Sequence, residues 1–339
     1  MLILYSKTQV AISVPTKVRS SFFSRVLSHV PYLGDLDRNQ IEKYLQLDHV
    51  EPLLLKDVTP LHFQQYNPLV THPVDNRLSP ILMLHGLFGS SRNFRSVGKK
   101  ITERTRHFAG GVDLRNHGKT ANVAPIDYLS MVRDVINSLE VRQWKDTILA
   151  GHSMGAKVAM LVALLRPDLV SKLVVIDNSP VSQPLEKNFT LDLLGMCLVE
   201  RTFSSYYKEP ISPLRTSYID KELSKYEKDR KVRFFLTSNI EKRATKRSTL
   251  FDVPVLNLLK DDVITEIGDW PLGAVIGKTF SKPVLIMEAT GSNFINEESI
   301  SSFNEFFPNN RKTTFKSGHW IVSEMPHKFI EEFIDFIKL

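Results

Sequence analysis

The pentapeptide Gly151-His152-Ser153-Met154-Gly155 constrains this chain more than any other feature. It closes the apolar run "KDTILAGHS", which reads as a buried strand, and leads directly into a helical stretch from Met154 to Arg166 that Pro167 stops. A G-x-S-x-G sequence at a strand-to-helix junction forces a very tight turn, and the serine hydroxyl then projects from the sheet edge. Glycines flank the serine because side chains there would collide with the neighbouring strand and helix. The helix start beyond it supplies N–H groups without intrahelical partners and a dipole favourable to negative charge.

The same alternation continues on both sides. "PILMLHG" (Pro80 to Gly86) is a strand that stops at glycine, followed by a helix from Asn93 to Arg104 and a strand ending near Asp113. Tyr128 to Leu139 is helical, with Met131, Val135 and Leu139 at four-residue spacing, and "KLVVIDN" is again a strand. From Val181 to about Trp270 the alternation fails and the pattern turns helical and polar. It resumes with the strand "KPVLIMEA", a helix from Glu297 to Phe307, the strand "RKTTFK" and a helix from Pro326 to Lys338. The expected fold class is α/β, with a mostly parallel central sheet flanked by helices and a helical lid inserted between two strands. The expected divisions are a first core part over 35–180, the lid over 181–270 and a second core part over 271–339. Ahead of the core, Leu36 to Leu47 reads as a short helix and Pro60 to Asn67 as an edge strand.

Composition narrows the functional classes. With 339 residues, 42% hydrophobic and 24% charged, the chain has the make-up of a globular protein with a large core. No apolar run approaches the roughly 18 residues of a membrane-spanning helix. Cys197 is the single cysteine, which excludes an internal disulfide and a multi-cysteine zinc site. The histidines His85, His117, His152 and His319 lack metal-site spacing, so neither metal nor cofactor is expected. The net charge of +7 is concentrated. Residues 1–34 carry Lys7, Lys17, Arg19 and Arg25 and no acid, in a Ser-rich stretch with the composition of a mitochondrial transit peptide. Residues 201–250 hold 13 Lys/Arg against 6 Asp/Glu. This distribution does not suit a nucleic-acid binder. The basic internal segment reads first as a solvated lid face, and second as a field that attracts phosphates.

A serine hydroxyl is a poor nucleophile until a base takes its proton. "SGHW" puts His319 just after the last strand, where such a base belongs, so Ser153 and His319 are the candidate nucleophile and base. Two acids come into question. Asp177 ends the strand after the nucleophile, and Glu288 lies at the end of the first strand beyond the lid. Asp177 is preferred, because a strand-end Glu projects out of the sheet rather than along it, and the order Ser153, Asp177, His319 is kept either way. The backbone N–H groups of Met154 and of Leu87 in "HGLFGS" are the candidate oxyanion donors, with Gly86 allowing the turn. Arg115, Asn116 and His117 read as a brace for the loop after their strand. Aspartate in place of Ser153 would have suggested an epoxide hydrolase or dehalogenase.

Taken together, "HGLFGSSRNF", "VDLRNHGKT", "GHSMGAKVAM", "VVIDNSPV" and "SGHW" resemble the α/β-hydrolase superfamily. They resemble most its small mitochondrial and bacterial serine hydrolases with an R-N-H-G loop, and within that branch the yeast mitochondrial alcohol (ethanol) acetyltransferases. The resemblance covers roughly residues 60–339. It implies an acid on the strand after the nucleophile, which matches Asp177. It also implies acetyl transfer from acetyl-CoA to ethanol or other small alcohols, with thioester and ester cleavage by water beside it. CoA is then a substrate rather than a bound cofactor. A carboxylesterase or thioesterase with water as acceptor, and a non-catalytic binding protein on the same fold, are the alternatives. Oligomeric state is not legible from the sequence.

Overall fold

The computed structural model describes residues 38–66, 73–185, 187–203, 213–240, 249–260 and 263–338. The proposed leader, residues 1–34, and the basic stretch 241–248 lie outside the described residues. Seven strands form the central sheet: β2 (His62–Gln65), β3 (Ile81–Leu84), β4 (Ala109–Asp113), β6 (Thr147–His152), β7 (Val170–Ile176), β8 (Val284–Ala289) and β9 (Asn310–Phe315). Their order is β2-β4-β3-β6-β7-β8-β9. Every pairing is parallel except that of β2 with β4, so the expected edge strand runs antiparallel at one rim. A second, two-stranded parallel sheet of β1 (Leu54–Leu55) and β5 (Val123–Ala124) had no signal in the sequence; two residues are too few for a periodicity.

The strands are apolar without a break because both faces of the sheet are covered. Side chains alternate between the faces with period two. Ile81, Met83, Ile148 and Ala150 face helices α2 (Arg95–Thr105) and α13 (Pro326–Lys338), joining Val97, Ile101, Phe329 and Phe333 in one cluster. Leu82, Leu84, Leu149, Leu173 and Val175 face the other way. They pack with Met131 and Val135 of α3 (Tyr128–Val141) and with Leu161 of α4 (Met154–Leu165). The apolar stripe of α13 is near-continuous, with Phe329, Phe333 and Phe336 all buried. The helix expected from Asn93 begins as a 3-10 turn over Ser91–Phe94 and becomes α-helical at Arg95. The sequence pattern does not separate the two geometries.

Between β7 and β8 the described chain is helical: α5 (Lys187–Phe203), α6 (Pro213–Leu223), α7 (Arg230–Thr237) and three short helices, α8 (Val255–Lys260), α9 (Val263–Glu266) and α10 (Leu272–Val275). The one strand-like contact among those described residues is an isolated bridge between Ile240 and Phe251. Helix α11 (Glu297–Phe306), the short α12 (Ile321–Glu324) and α13 complete the chain around β8 and β9, and the early helix α1 is Arg38–Leu45.

Candidate active site

Ser153 sits between β6 and α4 with φ 54° and ψ −120°. A positive φ is strained for a side chain with a Cβ, and such strain gathers where the surrounding structure holds it. Here the two glycines of the motif make it geometrically possible. A Cβ on Gly151 would collide with the carbonyl of Gly155, and one on Gly155 would come within 2.5 Å of the carbonyl oxygens of Leu84 and His85. The expected clash with helix and strand is therefore specific: Gly151 clears the helix start and Gly155 clears β3.

Asp177 follows β7, also at positive φ (50°), and is fully buried. Its Oδ1 accepts from Ala289 N at 2.9 Å, and its Oδ2 accepts from Ser292 Oγ at 2.6 Å. The same Oδ2 lies 2.7 Å from His319 Nδ1. Since the carboxylate is acceptor-only, Nδ1 carries the proton of that bond, which in the neutral ring leaves the lone pair on Nε2. That Nε2 is buried and has no hydrogen-bond partner among the described residues. The backbone of His319 is tied to the residue before Ser153, because its carbonyl accepts from His152 Nε2 at 2.8 Å. Burial and the neighbouring His319 hold the pKa of His152 down, at about 3, so the ring is neutral. In this structure the Ser153 hydroxyl makes no hydrogen bond to Nε2, a contact that hydrolytic sites tighten when substrate is seated.

Glu288, the alternative acid, is not brought to His319. It lies within β8 and pairs with Lys312 of the adjacent strand β9 at 2.9 Å. Ser292 was not singled out from the sequence. It lies in the "EATGSNFI" loop, and nothing in the sequence ranks it above the other polar residues there.

The loop after β3 runs beneath Ser153. Its turn is made differently from the sequence reading: the positive φ falls on Phe88 (58°), not on Gly86. What Gly86 supplies is clearance, since a Cβ there would press on Ser153 Cβ at 3.0 Å and on the His152 ring at 3.2 Å. Leu87 and Met154 are buried, and among the described residues neither backbone N–H donates to a protein acceptor. Phe88 is clamped from two sides. Its N–H donates to His117 Nε2 at 3.2 Å, and its carbonyl accepts from Asn239 Nδ2 of the lid at 2.6 Å.

His117 belongs to the brace, and the brace is continuous. Its Nδ1 donates to Arg115 O at 3.0 Å, and burial followed by the His85 charge lowers its pKa to about 3. Asn116, at φ 65°, bonds Val123 through both its amide nitrogen and its oxygen, each at 2.8 Å. Arg115 forms a bidentate pair with Asp134, at 2.6 and 2.8 Å, with both side chains fully buried. Asn116 thus spends its amide within the loop, while Arg115 ties the loop to α3 through Asp134 and His117 ties it to Phe88.

The surroundings of His319 are aromatic. Phe294 stacks on its ring at 4.3 Å between centroids, and Phe189 of α5 meets it edge-on at 5.7 Å. Phe235 of α7 packs at 4.4 Å against Trp320, the residue after His319. Two lid helices therefore reach the histidine or its neighbour. Of the basic segment, Lys221, Lys228, Arg230 and Lys231 are exposed, whereas Arg201 and Arg233 are partly buried, Arg233 pairing with Asp220 at 2.9 Å. Among the described residues there is no group of three or more potential metal ligands, and no helix is long and apolar enough to cross a membrane.

The sequence profile of the alpha/beta hydrolase fold family matches residues 79–326. An abhydrolase domain-containing protein of Schizosaccharomyces pombe is 34% identical over 279 residues, covering 82% of this chain and 97% of that protein. Ethanol acetyltransferase 1 of Kluyveromyces marxianus is 32% identical over 273 residues, covering 77% of this chain and 74% of that enzyme. Ethanol acetyltransferase 1 of Kluyveromyces lactis is 30% identical over 309 residues, covering 86% and 83%. Among solved structures, a marine microorganism esterase superposes with a TM-score of 0.69 at 24% identity, covering 82% of this chain and 99% of that one.

Proposed function

Because this chain belongs to the alpha/beta hydrolase fold family, we propose that it is a serine acyltransferase working through an acyl-enzyme, and that it makes ethyl acetate from acetyl-CoA and ethanol. Ser153 is the nucleophile, His319 the base and Asp177 the acid in this reading. One observation carries it: the 2.7 Å bond between His319 Nδ1 and the buried Asp177, which leaves Nε2 without a partner among the described residues in a histidine whose carbonyl is bonded to His152, the residue before the strained Ser153. The choice of an alcohol as acceptor rests on the relatives called ethanol acetyltransferase.

The proposed steps use these groups in turn. Ser153 Oγ attacks the thioester carbonyl while Nε2 takes its proton, and Asp177 stabilises the imidazolium and keeps its tautomer. Negative charge gathers on the carbonyl oxygen, which the N–H groups of Leu87 and Met154 receive. One such donor is worth a factor of roughly 100–1000 in rate. Collapse expels the CoA thiolate, which takes the proton from Nε2. Ethanol then gives its proton to Nε2 and attacks the acyl-serine, releasing the ester and restoring the Ser153 hydroxyl. Water in the same position gives acetate, so thioesterase and esterase side activities are part of the proposal. The leader extends it to mitochondrial import, supported by the basic, acid-free composition of residues 1–34.

The test incubates protein lacking the leader with acetyl-CoA, with and without ethanol, and quantifies ethyl acetate, acetate and free CoA. Ethyl acetate from the unaltered protein and none from Ser153→Ala is the expected result. Acetate and CoA without the ester would make the protein a thioesterase. No product from any ester, together with no labelling of Ser153 by a fluorophosphonate, would leave a non-catalytic binding protein on this fold.

A further inference from the structure

The lid departs after β7 and returns before β8, and both of its roots meet one buried side chain. Lys157 lies in α4, four residues after Ser153, and is 1% exposed. Its Nζ donates to Val181 O at 3.1 Å on the leading root, and to Gly268 O at 2.6 Å and Asp269 O at 2.9 Å on the trailing root. An ammonium has three N–H groups, and each finds a carbonyl. The roots are also stitched to one another. Gln183 N donates to Gly268 O at 3.0 Å, and Trp270 N donates to Ser182 Oγ at 2.8 Å.

This junction reaches the candidate triad by two routes. Through the first turn of α4, Lys157 N donates to Ser153 O at 3.3 Å. Through the lid, Gln183 Nε2 donates at 3.2 Å to the carbonyl of Phe294, whose ring stacks on His319.

Burying an ammonium here carries a desolvation cost. Burial pushes the Lys157 pKa down to about 7, with Asp269 opposing the shift, and the ring of Tyr128 on α3 lies 5.8 Å from Nζ. An apolar side chain of similar length escapes that desolvation cost but leaves the carbonyls of Val181 and Asp269 without this donor. What the ammonium adds is direction: it fixes three carbonyls on two distant chain segments relative to α4.

We propose that Lys157 is a positioning residue for acyl transfer, whose ammonium locks both roots of the lid to the helix carrying Ser153. It thereby holds the lid's aromatic walls, Phe189 and Phe235, in register with His319 and Trp320. The proposal rests on the reading of Ser153 as the nucleophile.

The test compares unaltered protein with Lys157→Met, which keeps the stem and loses the donors. Hydrolysis of p-nitrophenyl butyrate, labelling of Ser153 by a small fluorophosphonate, and Tm are measured. The expected result is a KM raised about tenfold with kcat within about threefold, and labelling within about twofold. Gly268→Ala disturbs the same junction from the lid side, because its Cβ would collide with the carbonyl of Gln183 while Lys157 stays in place. It should show the same split. Either variant, folded and with an unaltered KM, overturns the proposal even if its Tm falls. A joint loss of kcat and labelling at constant KM also overturns it, since that is damage to the triad rather than to lid register. If the unaltered protein neither takes the probe nor cleaves the ester, the nucleophile reading fails first and the positioning role falls with it.

Discussion

Ser292 Oγ donates to Asp177 Oδ2 at 2.6 Å, and that oxygen is the one bonded to His319 Nδ1. A residue of the loop after β8 thus orients a carboxylate placed after β7. Ser292→Ala removes one of the bonds holding that carboxylate. The expected effect is a kcat about tenfold lower with KM unchanged, and Ser292→Thr, which keeps a hydroxyl, should recover most of it. Steady-state kinetics on a p-nitrophenyl ester decide the matter.

The competing acids separate cleanly by substitution. Asp177→Asn takes away the acceptor of the His319 Nδ1 proton and should lower kcat by roughly 10⁴. Glu288→Gln breaks only an ion pair with Lys312 between adjacent strands and should leave kcat within about twofold. The reverse ranking would assign the acid to Glu288.

Arg115 and Asp134 are fully buried against one another. Arg115→Met leaves Asp134 as an uncompensated charge in the core, at a cost of about 3–5 kcal/mol. Thermal unfolding should show a Tm lower by roughly 10 °C. Arg115→Met combined with Asp134→Leu should recover part of that loss, because no charge is then stranded.

Asp192 on the lid helix α5 is another buried carboxyl, and its Oδ1 lacks a partner among the described residues. Burial, and then the nearby Glu227, raise its pKa from 3.8 to about 8. The folded state holds this proton where the unfolded chain releases it, so the stability it contributes falls as pH rises from about 4 to about 8. Asp192→Asn should abolish that part of the slope. Its Tm should exceed that of the unaltered protein by roughly 2–4 °C at pH 8 and by progressively less toward pH 4. A constant difference across the range would remove Asp192 as the titrating group.

How far the sequence reaches differs from residue to residue. The parallel sheet was legible because strands buried on both faces are continuously apolar, as in "PILMLHG" and "KLVVIDN". Gly151, Ser153 and Gly155 were legible as a strained turn because only glycine fits where Gly151 meets the helix start and Gly155 meets β3. His319 is singled out as the candidate base by its place after the last strand. These are local signals, or signals of chain order. The preference for Asp177 over Glu288 rests in the sequence on how a strand-end Glu projects, but the contact with His319 is not of that kind. Both are strand-end carboxyls, and what separates them is a distance of 2.7 Å between residues 142 positions apart in the chain. Ser292 on Asp177, Asn239 and His117 on Phe88, and Lys157 on the lid roots have no sequence signature at all. A hydrogen bond between segments that meet only after folding depends on the relative placement of sheet, loop and lid, and side-chain identity alone does not specify that placement.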